Sequence, residues 1–214
     1  MSGLVQTVAP TSEPVTRAAA QLYARYEEGD IEDELFDTFI AIGREQVEAI
    51  TEHQLNTATF VQYFDSWQRT FCLSKPPLQS VTSVQFTDLD GATQTVLAAD
   101  YAVNDKDQHR GNVRFNFDFI FPVLSNDRMN SIQITFKAGY EAWPVALPAG
   151  VPKTLAHSIK LFVNDVWSHR EFELDGKVTG NIQNNKVAMQ ILNSYRVNTP
   201  IGIGIGSNVP QFIR

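Results

Sequence analysis

Lys75-Pro-Pro-Leu-Gln-Ser-Val-Thr-Ser-Val-Gln-Phe86, continued by Asp88-Leu-Asp-Gly91, decides the fold of this chain. The two prolines end one extended segment, and Val81, Val84 and Phe86 mark a β-rich run. Asp90-Gly91 supplies the turn back, because glycine tolerates the positive φ that hairpin loops need. Thr93 to Leu97 is then the returning strand. Working outward, Thr57 to Leu73 is rich in Phe, Val, Tyr, Trp and Thr. Further strands are expected at Tyr101 to Asn104, Asn112 to Phe117 and Ser131 to Lys137, with a turn at Arg110-Gly111. Asn116-Phe-Asp-Phe-Ile-Phe-Pro122 is unusually aromatic; it fits core, or an exposed loop packed on a neighbouring subunit, with core favoured.

Helical spacing flanks this β-rich stretch on both sides. Residues 1 to 14 hold Pro10 and Pro14 and little periodicity, which predicts a flexible lead. Thr16 is an expected N-cap for a helix through about Glu28, with Ala19, Leu22, Tyr23 and Tyr26 apolar and Gly29-Asp30 breaking it. Ile31, Leu35, Phe39, Ile42, Gln46 and Ala49 then follow a helical stripe, flanked by Phe36, Ile40, Val47 and Ile50. Pro152 suits a first helical position. The helix after it offers Leu155, Ile159, Phe162 and Val166 as a seam against Leu35, Phe39 and Ile42. A shorter helix is expected from about Asn184 to Tyr195, with Val187, Ile191 and Tyr195 on one side. The Ile-Gly alternation at 201–206 and Pro210 exclude a good helix and predict an extended tail.

The fold class is therefore α+β. A helical scaffold (16–55 plus 151–196) carries an inserted antiparallel β module (56–150), between a lead (1–15) and an extended C-terminal arm (197–214). With 43% hydrophobic and 19% charged residues the composition is that of a soluble globular protein. No signal peptide and no membrane-spanning apolar run are visible. The lone Cys72 permits no intrachain disulfide and, between Phe71 and Leu73, is expected to be buried.

The net charge of −7 is unevenly spread. From Glu27 to Glu52 there are ten acids against Arg44 alone, whereas residues 176–214 hold Lys177, Lys186, Arg196 and Arg214 and no acid. So acidic a chain is ill suited to wrap DNA, which needs clustered Lys and Arg. Glu32, Asp33, Glu45, Glu48 and Glu52 are the candidate acidic face. Its ordinary explanation is a solvated helix surface; the functional one is a face turned to a basic partner or to passing DNA.

Enzyme motifs are missing. Gly176-Lys177 lacks the upstream glycine of a phosphate loop, and no helix follows Gly202, Gly204 and Gly206. Asp88-Leu-Asp-Gly91 brings its glycine too early for a calcium loop. His53, His109, His157 and His169 are scattered, and no Gly-x-Ser-x-Gly elbow exists. No catalytic residue, metal site or cofactor is expected.

Four blocks in order resemble one family. They are the acidic helical hairpin, the Lys75 to Gly91 stretch, Ile132-Gln-Ile-Thr-Phe-Lys-Ala-Gly-Tyr140, and Val151-Pro152 through Trp167-Ser-His-Arg-Glu171. Over roughly residues 16 to 175 the chain is similar to the head–tail connector (adaptor, head-completion) proteins of tailed bacteriophages. Many of these end soon after the Trp/Arg/Glu helix, whereas this chain continues to residue 214. The resemblance implies a structural virion protein made in the bacterial cytoplasm. It implies a ring of about twelve copies, docked under the portal protein, meeting the next neck or tail protein and passing DNA without gripping it. The tail, with Ile201, Ile203, Ile205, Phe212, Ile213 and Arg214, is the expected portal-docking arm. It spans up to about 55 Å if extended. The alternatives are a phage-encoded enzyme and a monomeric binding module.

Overall fold

The computed structural model describes residues 3–25, 33–125, 129–140, 150–168 and 186–197. In chain order these form β1 (Gly3–Val8), α1 (Arg17–Ala24), α2 (Asp33–Thr51), β2 (Ala58–Phe64), β3 (Thr70–Leu73), β4 (Leu78–Thr87) and β5 (Thr93–Thr95). A 3₁₀ turn (Ala98–Asp100), β6 (Tyr101–Asn104), β7 (Gly111–Phe115), β8 (Ile132–Ala138), α3 (Lys153–Ser168) and α4 (Lys186–Tyr195) complete them. The architecture is mixed α+β. Among the described residues there are four α-helices and two antiparallel sheets, one ordered β1-β2-β8-β4-β5 and one ordered β3-β7-β6. No described helix is long and apolar enough to cross a membrane.

Strand alternation sets the registers. Phe60 faces Phe136 and Val84 faces Ile134 across neighbouring strands, so β2, β8 and β4 send their apolar sets to one side. Those side chains bury together with Phe71, Val113 and Phe115 of the smaller sheet in a core that both sheets share. The Asp88–Gly91 turn forms as read. The Asp88 carboxylate accepts the N–H groups of Asp90 and Ala92, and Gly91 sits at φ 78°. Gln94 also donates to Asp88, and these donors hold its carboxyl below the usual range.

Two readings of the β part are corrected. Residues 3–8 are an edge strand paired with β2, not a flexible lead. Thr57 to Leu73 is strand-forming as expected, with β2 and β3 in different sheets because Asp65 to Arg69 turns the chain. Cys72 is exposed: on β3 the alternation buries Phe71 and Leu73 and sends the residue between them outward.

The helices pack in a second core built from Ala20, Phe36, Ile40, Val47, Leu155, Ile159, Val163, Ala188 and Leu192. Thr16 caps α1 by accepting the Ala19 N–H, and Arg25 closes it in the left-handed conformation, so this helix ends before Glu28. The apolar stripes are displaced from their expected columns. On α2 the buried column is Phe36, Ile40, Gly43 and Val47, while Leu35 and Ile42 are each 40% exposed. On α1 the core takes Ala20 and Ala24 and leaves Leu22 83% exposed. On α4 Ala188 and Leu192 are buried in place of Val187.

Small residues explain the shift. A Cβ on Gly43 would lie 3.1 Å from Phe162 Cδ1 and 3.2 Å from Ile159 Cγ2, so the glycine column is where α3 comes closest. On α3 the buried column is Leu155, Ile159 and Val163; Phe162 and Val166 are half-buried. Pro152 lies just before the first helical residue, its carbonyl accepting the Ala156 N–H at 3.0 Å. Where the helical core ends, Leu55 and Tyr140 belong to it, and Ala58 and Ala138 a few residues away belong to the sheet core.

Candidate assembly surfaces

The five acids singled out do not share one face. Glu45 is exposed on α2, and Glu52 is half-buried just past its end at φ 63°. Glu48 is buried, contrary to expectation. Its Oε1 accepts the Leu55 N–H at 2.9 Å and the Gln54 amide at 2.8 Å, and its Oε2 takes Arg44 at 3.1 Å. Burial pushes the Glu48 carboxyl up, and the Leu55 N–H and Arg44 offset only part of that. Glu48 therefore ties the end of α2 to the segment entering β2. Arg44 also reaches Glu13 at 2.9 Å and Glu45 at 3.7 Å, so the one cation of the acidic stretch binds three carboxylates. Asp37 is paired with Arg17, which holds its carboxyl below the usual range. Asp33 is the first residue of α2; Glu32 lies outside the described residues.

The arm residues Ile201, Ile203, Ile205, Phe212, Ile213 and Arg214 also lie outside the described residues. Val197, just before them, is buried and donates its N–H to Thr51 O at 3.1 Å.

A knot of ring side chains joins the two cores. Gln108 Nε2 donates to Tyr140 Oη at 3.0 Å, Tyr140 Oη meets His53 Nδ1 at 2.7 Å, and His53 Nε2 meets His109 Nδ1 at 3.3 Å. The Tyr140 and His53 rings stack at 5.6 Å. Burial, then His109, lowers the His53 pKa to about 4, against an opposing backbone hydrogen bond with Tyr195, and Lys75 adds a smaller push downward. Sequence reading treated these histidines as unrelated, and no local pattern relates residues so far apart.

Beside the knot lies a pocket of about 380 Å³ lined by Glu52, Cys72, Lys75, His109, Arg110 and Val197 among others. A thiol and an imidazole in one pocket invite a nucleophile reading. Among the described residues no hydrogen bond joins the Cys72 thiol to that imidazole. Nor do three His, Cys, Asp or Glu side chains gather among them as a metal cluster.

The aromatic segment after β7 is half core and half surface. Phe119 and Phe121 pack on Trp67, with ring centres 6.2 and 5.4 Å away, and Trp67 Nε1 donates to Pro122 O at 2.8 Å. Phe117 and Ile120 project outward, 96% and 87% exposed.

No family model matches the chain, and no curated protein matches it. Solved structures do. A chain in the neck of an empty gene transfer agent particle, computed with C6 symmetry, is similar in fold at TM-score 0.70 and 18% identity, over 94% of this chain and 98% of that one. A chain in the virion of a native gene transfer agent particle matches at 0.68 and 18%, over 93% and 97%. A chain in the neck of the native particle, computed with C12 symmetry, matches at 0.61 and 17%, over 92% and 98%. At such identities the likeness is one of fold, and it runs nearly end to end on both sides.

Proposed function

We propose that this chain is a structural subunit of the neck of a tailed-phage-like particle, a head–tail connector that forms a ring under the portal and lets DNA pass. The observation that carries this reading is the end-to-end fold likeness to chains from necks computed with sixfold and twelvefold symmetry. It agrees with the four sequence blocks that resemble phage connector proteins. A twelve-copy ring is the stoichiometry the reading favours. The outward carboxylates of α2, Glu34 and Glu45 among them, suit a body that must not grip phosphates.

The C-terminal arm is the proposed portal contact. Its alternating isoleucines, its glycines and its positive charge fit addition of a strand to a partner's edge, with backbone groups supplying affinity and alternate side chains specificity. The test is electron microscopy of particles or neck complexes containing the chain, with and without Pro200 to Arg214. The intact chain is expected as a closed ring between portal and tail. The truncated chain is expected to fold but no longer co-purify with portal. A chain found outside the neck, or singly instead of in a ring, would overturn the proposal. Unchanged portal affinity after truncation would remove the arm from it.

A further inference from the structure

We infer that the aromatic loop after β7 docks onto helix α2 of a neighbouring copy, and that this contact closes the ring. The inference rests on the neck reading above and adds the surfaces that meet.

The loop is held, so its outward residues have fixed places. Asn116 Nδ2 donates to Ala99 O at 2.7 Å, the Asn116 N–H to Asp100 O at 2.9 Å, and the Ser125 N–H to Thr87 O at 3.2 Å. With Phe119 and Phe121 rooted on Trp67, Phe117, Ile120 and Val123 are left facing solvent. Three large apolar side chains displayed on a braced loop are an interaction surface in want of a cover.

Ring closure dictates what that cover is. A head-to-tail ring needs two different patches on each chain, whereas a patch that pairs with its own copy closes a dimer. The second patch lies on the other core. Leu35 and Ile42 stand seven residues apart on α2, hence on one face, and both are partly exposed although the helical core passes beside them. Charge complements shape. Arg69 is exposed at the base of the loop, its guanidinium 4.9 Å from the Phe121 ring centre and 6.0 Å from that of Phe117. Arg114, opposite Thr70 in the β3–β7 register, is exposed on the other face of that sheet and takes no part in this patch. Beside Arg69 the loop carries Asp118. The α2 patch is bordered by Glu34 and Glu45, both exposed. Loop against loop would oppose Arg69 to its own copy; loop against α2 sets it against carboxylates.

Cross-linking between copies tests this. In a Cys72→Ser background, one chain carries Phe117→Cys and a second carries Leu35→Cys, and particles are made with either or both. A covalent dimer is expected only where both chains are present. The second variant, Ile120→Asp, is expected to keep its melting temperature and circular dichroism while losing ring formation. Like-with-like dimers of the Phe117→Cys chain, cross-links to another neck protein, or intact rings from Ile120→Asp would each overturn the docking while leaving the ring in place. If the unsubstituted chain forms no ring in those particles, the neck reading fails first, before any substitution is read.

Discussion

Tyr140 Oη and His53 Nδ1 lie 2.7 Å apart although 87 residues separate them in sequence. Gln108 Nε2 donates to the phenol oxygen, which leaves the phenol's own proton available for a neutral His53 Nδ1. His53 then carries its proton on Nε2 and donates it to His109 Nδ1. This order of donors needs a neutral His53. It joins the loop after α2, the β6–β7 hairpin and the end of β8.

That order makes stability depend on pH. His53 has a folded pKa of about 4 against an ordinary 6.5, so the unfolded chain binds the extra proton first. Its contribution is complete above pH 6.5, declines as pH falls towards 4 and is gone below, amounting to about 3 kcal/mol. Glu48, shifted upward, acts with the opposite sign, so the comparison is made against His53→Phe, which leaves Glu48 unchanged. Urea unfolding from pH 7 to pH 4 should show a steep loss for the natural chain and a shallower one for the variant. Equal slopes would remove His53 as the cause.

Glu48 and Glu45 are one helical turn apart and opposite in consequence. Glu48→Ala leaves the Leu55 N–H and the Gln54 amide without their acceptor in a buried place and takes one of Arg44's three carboxylates, and should cost about 3 to 5 kcal/mol. Glu45→Gln changes an exposed side chain and should stay within about 0.5 kcal/mol. Denaturant midpoints of the two variants decide it.

Phe36→Ala should cost about 3 to 5 kcal/mol through lost burial and the cavity left against Trp167. Leu35→Ala, one residue earlier, should cost less than about 1 kcal/mol. The reverse order of melting temperatures would restore the stripe through Leu35, Phe39 and Ile42.

Gly139→Ala should be among the most damaging single changes. Gly139 sits at φ 134°, and a Cβ there would lie 2.7 Å from the Asn56 backbone. Backbone strain and collision together should cost about 3 kcal/mol or more. Gly150→Ala is the control. Its φ is 125° but nothing lies within 4 Å, so it should show strain alone, about 1 to 3 kcal/mol.

Local chemistry was legible along the chain. The Asp88–Gly91 turn, the Thr16 cap and the strands at Tyr101–Asn104 and Ile132–Ala138 need only neighbours within a few residues, and the structure has them where expected. The Ala138-Gly139-Tyr140 motif was visible as a pattern but not as a mechanism. Only the folded chain shows the glycine against the Asn56 backbone and the phenol on His53. Glu48 looked like its acidic neighbours because burial is not written in residue type. β1 was missed for a related reason: Gly3–Val8 is short and edge-paired, and its strand character comes from β2.

By itself the sequence determined the α+β class, the β-rich middle, the amphipathic helices around it and the charge contrast between α2 and the C-terminal segment. These follow from periodicity and turn chemistry, which act over a few residues. Tertiary structure alone decided which column of each helix is core. On α2 two adjacent apolar columns both satisfied the 3.6-residue period, and the close approach of α3 over Gly43 selected the one through Phe36, Ile40 and Val47. It also decided which acid is buried, which histidines meet, and which aromatic residues of 115–121 face out. Each of these depends on what stands opposite a side chain in space, and a local pattern carries no record of that.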